Sequence, residues 1–352
     1  MENIEEYKLT KYSHGGGCGC KIAPAVLDEI LKTNIVSPVY DKLLVGNSSK
    51  DDAAAYDLGN GTALISTTDF FMPIVNDAYD FGRIASANAI SDVYAMGGKP
   101  VMAIAILGWP VKTIPVAVAQ KVLEGARAIC AQANIPLAGG HSIDTPEPVF
   151  GLAVSGICNI KNLKQNNTAK EGDLLFLTKP IGVGIMATAE KREALSPAHH
   201  DIIIKQLTTL NSIGEVLGSI PGVNAMTDVT GFGLAGHLVE LAEGSNLTAE
   251  LYYSKVQKIE GVGDYIAQNI GPDATFRNWN GYGHKIDFDS NVDVAEAFKL
   301  LPDPQTNGGL LISVAESAKD TVIDLFKQHG LERFIEPIGK LIGKTDKVIL
   351  VK

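Results

Sequence analysis

Apolar residues along the chain gather into short, separated runs, and their spacing predicts an alternation of strands and helices. Strands are expected at 62–68, ending at Asp69, at Val101–Leu107, at Phe150–Ile160, at Leu174–Thr178, at Leu310–Val314 and at Val348–Val351. Helices are expected at Pro24–Leu31, with proline in the first turn, and at Phe81–Met96, a run of small residues stopped by Gly97-Gly98. Further helices are expected at Val116–Gln132, at 184–193, at 199–217, from Gly231-Phe232-Gly233 through Leu241, and at Ser317–His329. The region 245–300 has no clear period. A polar stretch, Lys161–Gly172, separates two halves that each mix strands with helices. The expected fold class is therefore α+β, with two mixed α/β domains at 46–160 and 170–352 behind an N-terminal segment, 1–45.

Composition narrows the function classes. The 352 residues suit about two domains. Hydrophobic content of 45% against 20% charged marks a globular chain. A net charge of −10 argues against a nucleic-acid surface. It leaves ATP open, because magnesium and local cations neutralise phosphates. The acidic start, Met-Glu-Asn-Ile-Glu-Glu, is unlike a secretory signal. The strongest apolar run, Val101–Leu107, is far below the roughly 18 residues of a membrane span. Four scattered cysteines make no disulfide framework. A cytoplasmic location is expected, with no nucleic-acid or membrane partner.

Gly15–Lys21, Gly-Gly-Gly-Cys-Gly-Cys-Lys, carries the densest chemistry. Glycines let the backbone move and approach a ligand. A lysine beside two thiols favours the thiolate, the reactive form. With few apolar anchors the segment is expected to be mobile, closing over a site of soft-nucleophile chemistry. From the residues alone, half a zinc site or a tail without a role stays open. Cys130 and Cys158 lie in apolar runs and are expected to be buried and inert.

Aspartates recur at element ends: Asp51, Asp52, Asp69, Asp92 and Asp228. Each alone fits a cap or turn. Together they suit magnesium, which binds through a few carboxylates plus substrate phosphates. Asn88 and Asp92, four apart, share a helix face. Gly139-Gly140-His141-Ser142 follows a short apolar run, so its amides are expected to form an anion-binding nest or helix start. His141 suits a structural role as well as a catalytic one. Thr-Asp-Val-Thr-Gly-Phe-Gly (227–233) places a carboxylate before glycines that open a helix. Neither a P-loop nor the protein-kinase motif set is present. Asp303-Pro-Gln-Thr-Asn-Gly-Gly is strong turn chemistry, for which a structural role is expected.

In order, Lys-Tyr-Ser-His-Gly-Gly-Gly-Cys-Gly-Cys-Lys, Asp51-Asp52-Ala-Ala, Ser-Thr-Thr-Asp-Phe-Phe, Asn-Ala-Ile-Ser-Asp-Val-Tyr-Ala-Met-Gly-Gly-Lys-Pro, Leu-Ala-Gly-Gly-His-Ser-Ile-Asp, Thr-Asp-Val-Thr-Gly-Phe-Gly and Asp-Pro-Gln-Thr-Asn-Gly-Gly-Leu-Leu run from about residue 9 to about 312. This series resembles the selenophosphate synthetase (selenide, water dikinase) family of the aminoimidazole-ribonucleotide-synthetase-like superfamily. The resemblance implies that ATP, selenide and water give selenophosphate, orthophosphate and AMP, supplying activated selenium for selenocysteine and selenouridine. It implies a homodimer paired through the N-terminal sheets, with ATP near the interface and selenide, or a selenium-delivery protein, as partner. Carried over by position, Cys18 matches the essential Cys or selenocysteine, Lys21 the essential lysine, and Cys20 a dispensable thiol. Asp52, Asp92 and Asp228 match magnesium ligands, with Asp69 a further carboxylate in reach of metal. Lys21, Ser49, Lys50, Asp51, Asp69, Asp92, Gly140, His141 and Ser142 match nucleotide-contacting positions. Ser48 and Ser49 vary within the family, which implies backbone contacts there. Three other readings stay open at this point: another ATP-using enzyme of the same fold, a selenium or persulfide carrier, and a thiol-redox protein.

Overall fold

The computed structural model describes residues 7–21, 24–32, 38–47 and 51–352. Ser49 and Lys50 therefore lie outside the described residues. Two short 3-10 turns, Leu9–Tyr12 and Gly17–Cys20, precede α1 (Pro24–Leu31). The first half then holds β1 (Leu43–Val45), β2 (Ala54–Asp57), β3 (Thr62–Phe71), α2 (Ala78–Ala95), β4 (Lys99–Trp109), α3 (Val116–Gln132), β5 (Leu137–Asp144) and β6 (Val149–Asn159). Its six strands form one sheet in the order β1-β2-β3-β6-β4-β5. Pairing is antiparallel except between β4 and β5.

The second half holds β7 (Leu174–Leu177), α4 (Val183–Lys191), α5 (Pro197–Thr208), α6 (Ile213–Gly218), β8 (Val223–Asp228), α7 (Gly233–Gly244) and β9 (Leu247–Leu251). It continues with α8 (Val262–Ala267), α9 (Asp273–Tyr282), β10 (Ile286–Phe288), α10 (Val294–Leu300), β11 (Leu310–Val314), α11 (Lys319–Gln328), β12 (Gly339–Gly343) and β13 (Ile349–Val351). Its seven strands form a second sheet, β10-β13-β9-β12-β7-β11-β8. The mixed α/β class expected from the pattern is what the chain adopts.

Helix α2 explains how the halves meet. Most of its residues are small or apolar, and 15 of its 18 are buried; a helix buried on nearly every side belongs in a core. Asp77 caps its start, accepting from the Asp80 amide. One side packs on β3 and β6, another on α3, and the remaining side on α5, α6 and β8 of the second half. The single helix expected at 199–217 is two, α5 and α6. The break lets buried Asn211 donate to Ser91 Oγ of α2 and to the Gly308 carbonyl, both at 2.8 Å.

Contact between α2 and α3 depends on two reciprocal glycines. A Cβ on Gly82 would sit 1.9 Å from the Val122 carbonyl oxygen, and one on Gly125 would sit 2.0 Å from that of Tyr79. Only backbone lies opposite, so the helices would have to separate. Gly82→Ala or Gly125→Ala is expected to cost about 2–3 kcal/mol or more, at the upper end of overpacking. Urea denaturation checks this, and a change below about 0.5 kcal/mol would show that the helices shift freely.

Candidate active site

A polar cavity of about 720 Å³ lies between the halves. Asp51 and Asp52 enter it just before β2, Thr67 and Asp69 from β3, Asp92 from α2, Asp228 from the end of β8, and Lys21 from the N-terminal segment. Thr67 and Asp69 are two apart on a strand and therefore share a face. Asn88 and Asp92 are one turn apart on α2, as their spacing required.

Each carboxylate is held by a hydroxyl or amide. Thr67 Oγ1 donates to Asp92 Oδ2 at 2.5 Å, Ser91 Oγ to Asp228 Oδ2 at 2.5 Å, and Thr227 Oγ1 to Asp52 Oδ1 at 2.8 Å. Asp51 Oδ1 accepts from the Asn166 amide at 3.2 Å. These bonds do not offset the desolvation. Burial pushes the Asp51 carboxyl up to about 7 and that of Asp228 up to about 6. Burial, and then the neighbouring Asp228, raise Asp52 and Asp92 well above the carboxylate range.

The donor set fits magnesium. Asp51 Oδ2 and Asp52 Oδ2 are buried oxygens with no hydrogen-bond partner among the described residues, which is costly unless a cation satisfies them. All the donors are hard oxygens on an open wall where phosphates can complete the shell. Among the described residues, no three acidic, histidine or cysteine groups already stand at metal-holding distance.

The glycine-rich segment packs beside this cavity and sends Lys21 into its lining. The Gly17 amide bonds to the Met72 carbonyl at 3.0 Å, and the Cys18 amide donates to Thr306 Oγ1 at 2.9 Å. Gly17 takes φ +55°, and a Cβ there would meet Thr306 Oγ1 at 2.5 Å, so only glycine fits. Cys18 is 1% exposed. Its sulfur lies 3.3 Å from Asn88 Oδ1, which also accepts from the Asn307 amide at 2.7 Å. The other side of the same amide, Asn88 Nδ2, donates to Asp69 Oδ2. Oδ1 is thus fixed as an acceptor, and Cys18 faces it as the S–H donor.

The expected thiolate is therefore not the form this closed arrangement favours. Burial pushes the Cys18 thiol well up, and Asp69 adds to it more than Lys21 subtracts. Lys21 Nζ stands 3.9 Å from Asp69 Oδ2, and chiefly that charge raises its own ammonium further, so it stays a cation. Cys130 and Cys158 are free and buried, with burial raising each to about 11, as expected of inert core thiols.

Beneath the segment, Asp303–Gly309 is a scaffold as well as a turn. Thr306 and Asn307 hold Cys18 and Asn88, as above. Lys179 Nζ donates to the carbonyls of Asn307 and Thr209 at 2.9 and 2.7 Å, and burial lowers it to about 7. At the far wall the His237 imidazole accepts from the Thr230 amide at 3.0 Å and is pushed down to about 3 by burial, so it stays neutral.

Gly140, His141 and Ser142 are not in this cavity. They lie within β5, exposed at the sheet edge, rather than in a nest after a strand. Parallel pairing with β4 draws them into the ladder, and a Cβ on Gly140 would meet the Ala105 carbonyl oxygen at 2.2 Å. The register runs Asp69–Leu152–Ala105–Gly140, three strand spacings or about 14 Å.

This architecture and site define a class. The family described as AIR synthase related protein, N-terminal domain, matches residues 50–158, and the corresponding C-terminal domain family matches 170–352. The thiamine-monophosphate kinase structure from Stenotrophomonas maltophilia K279a shares the fold, with TM-score 0.64 at 20% identity over 89% of this chain and 92% of that one. The chain is 52% identical over 348 residues to the selenide, water dikinase of Haemophilus influenzae, covering 99% of both proteins. It is 54% identical over 342 residues to that of Colwellia psychrerythraea, covering 97% of this chain and 98% of the relative. Within the AIR synthase related class, the chain belongs to the selenide, water dikinase family.

Proposed function

We propose that the chain makes selenophosphate from ATP, selenide and water, releasing AMP and orthophosphate, at the cavity closed by Cys18 and Lys21. The observation that carries this reading is the meeting of a lysine and five buried or half-buried aspartates at one cavity, with a thiol joined to one of them, Asp69, through the Asn88 amide. A carrier would need no such carboxylates, and a simple kinase would need no thiol.

The reaction opposes an anionic nucleophile to an anionic triphosphate. Magnesium, held by Asp52, Asp92 and Asp228, would supply Lewis-acid stabilisation of the transferring phosphoryl group. Lys21, kept charged by Asp69, adds a cation aimed into the same cavity. The closed segment excludes water during the first transfer. Its glycines let it open afterwards, to admit the water that cleaves the remaining anhydride. Residues 46–160 then form the ATP- and magnesium-binding and pairing domain, 170–352 the α+β domain that walls the cavity, and 1–45 the catalytic segment.

A homodimer accounts for Gly140–Ser142. The face of the first sheet turned away from α2 and α3 carries Leu64, Phe70, Met102, Ile104 and Ile157, each at least 36% exposed. So large an apolar face suits a second copy of the same sheet. Pairing there would bring nucleotide-contacting residues of β5 from one copy toward the ATP of the other. Phe70→Glu is expected to convert dimer to monomer in sedimentation velocity and to cut activity more than tenfold. A dimer unchanged by Phe70→Glu would remove this face from the interface.

Phosphorus NMR of an anaerobic mixture of ATP, magnesium and selenide tests the reaction. A selenium-coupled phosphate signal with equimolar AMP is expected from the wild type and is expected to be lost in Cys18→Ser. ADP as the sole nucleotide product would overturn the dikinase reading.

A further inference from the structure

The glycine-rich segment has a second face. Behind it, away from the carboxylates, lies a separate cavity of about 350 Å³, bordered by Gly15, Gly16 and Gly19 of the segment and by Thr306. Lys191 and Arg192 reach it from the end of α4, and Arg277 from α9. In a chain of net charge −10, three cations converge on one hollow whose only acidic lining residue among the described residues is Asp273. None of the three forms an ion pair among the described residues. Glu147, which feels the charge of Lys191, is already paired with His14 at 2.8 Å.

Two of these cations are bound to neutral carbonyls of the segment itself. Lys191 Nζ donates to the Ser13 carbonyl at 2.9 Å and to that of Gly15 at 3.4 Å; Arg277 Nη2 donates to the Gly19 carbonyl at 2.8 Å. Cations at the end of α4 also complement its dipole. That role does not account for Arg277, which comes from another helix and faces the same space. A charged acceptor makes a stronger bond to a guanidinium or ammonium than a peptide carbonyl does. Guanidinium forks also match tetrahedral oxyanions rather than a single-atom anion.

We propose that this cavity binds a phosphate-type oxyanion, and that its occupation draws Lys191 and Arg277 off the segment carbonyls and so opens the segment over Cys18. The inference deepens the proposed reaction, which releases two such anions, orthophosphate and selenophosphate. The anion that fills the cavity is thus a product, and its arrival unlatches the lid that turnover must lift.

The test uses inorganic phosphate and thiophosphate, the latter a stable stand-in for selenophosphate, on the full chain without ATP. Titration calorimetry is expected to show saturable binding of one or both, weakened about tenfold or more by Arg192→Gln/Arg277→Gln. The tighter of the two anions identifies the product held. Alkylation of Cys18, followed by peptide mass mapping, is expected to quicken at saturating anion in the wild type and to be anion-independent in the double variant. No saturable binding, equal binding by both proteins, or a Cys18 rate indifferent to anion would overturn the site. Because no catalysis is measured, failure here leaves the proposed reaction standing. Failure to make selenophosphate would leave an anion-gated segment standing.

Discussion

Asp52→Asn is expected to lower ATP cleavage by at least about 1,000-fold and, at the same time, to make the metal-free protein more stable. The first effect follows from removing a ligand from a cation asked to supply several kcal/mol of transition-state stabilisation. The second follows from crowding. Asp52 keeps one buried oxygen without a partner among the described residues and faces the charges of Asp228, Asp51 and Asp92. An amide there removes the charge, while its carbonyl still accepts from Thr227. A gain of about 1–2 kcal/mol in urea denaturation with EDTA is expected, reversing to a deficit in millimolar magnesium, which stabilises only the wild type.

The pH dependence carries the same sign. A carboxyl whose folded pKa lies above its unfolded value binds more protons when folded. Its stabilising contribution is full below about 4 and is lost as pH rises through the folded pKa, about 6 for Asp228 and about 7 for Asp51. Metal-free wild type is therefore expected to gain stability on going from pH about 8 to about 5. Asp52→Asn is expected to gain less. Loss of metal-free stability in the variant would show that the cluster is built to be satisfied without a cation.

Asn88→Ala is expected to abolish selenophosphate synthesis and to cost about 3 kcal/mol of stability. This one buried amide receives the Asn307 N–H and the Cys18 S–H and gives a hydrogen bond to Asp69. Truncation strands a buried N–H and a carboxylate oxygen, each worth about 1–3 kcal/mol. It also frees Cys18 from its acceptor. Alkylation of Cys18 is expected to be slow in the wild type at neutral pH, because the thiol is buried and protonated, and at least tenfold faster in Asn88→Ala. A variant as unreactive as the wild type would mean that burial alone, without Asn88, holds the thiol. Asn88→Asp, which keeps the shape but adds charge beside Asp69, is expected to fold and remain inactive.

Much of this was legible in the chain, and the exceptions have physical causes. Helix α3 falls on the expected residues, Val116–Gln132, because its apolar period is uninterrupted. The stop of α2 is marked by Gly97-Gly98, whereas its start, Ala78 behind the Asp77 cap, lies three residues before the expected Phe81. The five aspartates do line one cavity, though spacing could not bring Asp228 to Asp52. The break after α5 was hidden because Thr209–Ser212 reads as helix until Asn211 finds Ser91 across the domain boundary. Gly140–Ser142 looked like a turn because glycine is rare in strands, whereas here it is required by the close approach of β4. The thiolate expectation considered Lys21 and not burial, which no local reading supplies. Asn88 was visible as the i−4 partner of Asp92. Thr306, 288 residues from Cys18, had no sequence signal beyond its glycine-rich turn.

The position of α2 has a consequence for the nascent chain. Its outward side is covered only by elements of the second half, and Ala95 packs in a cluster with Phe176, Ile213, Met226 and Leu310. None of those partners exists when α2 leaves the ribosome. At about 5–20 residues per second, the more than 200 residues up to β11 take on the order of ten seconds or more to make. Throughout that interval an apolar helix face and half of the carboxylate cavity stand open. A strong demand for chaperones during synthesis, and failure of the halves to work when expressed as separate chains, are the expected consequences of the same helix that holds Asn88, Ser91 and Asp92 in place.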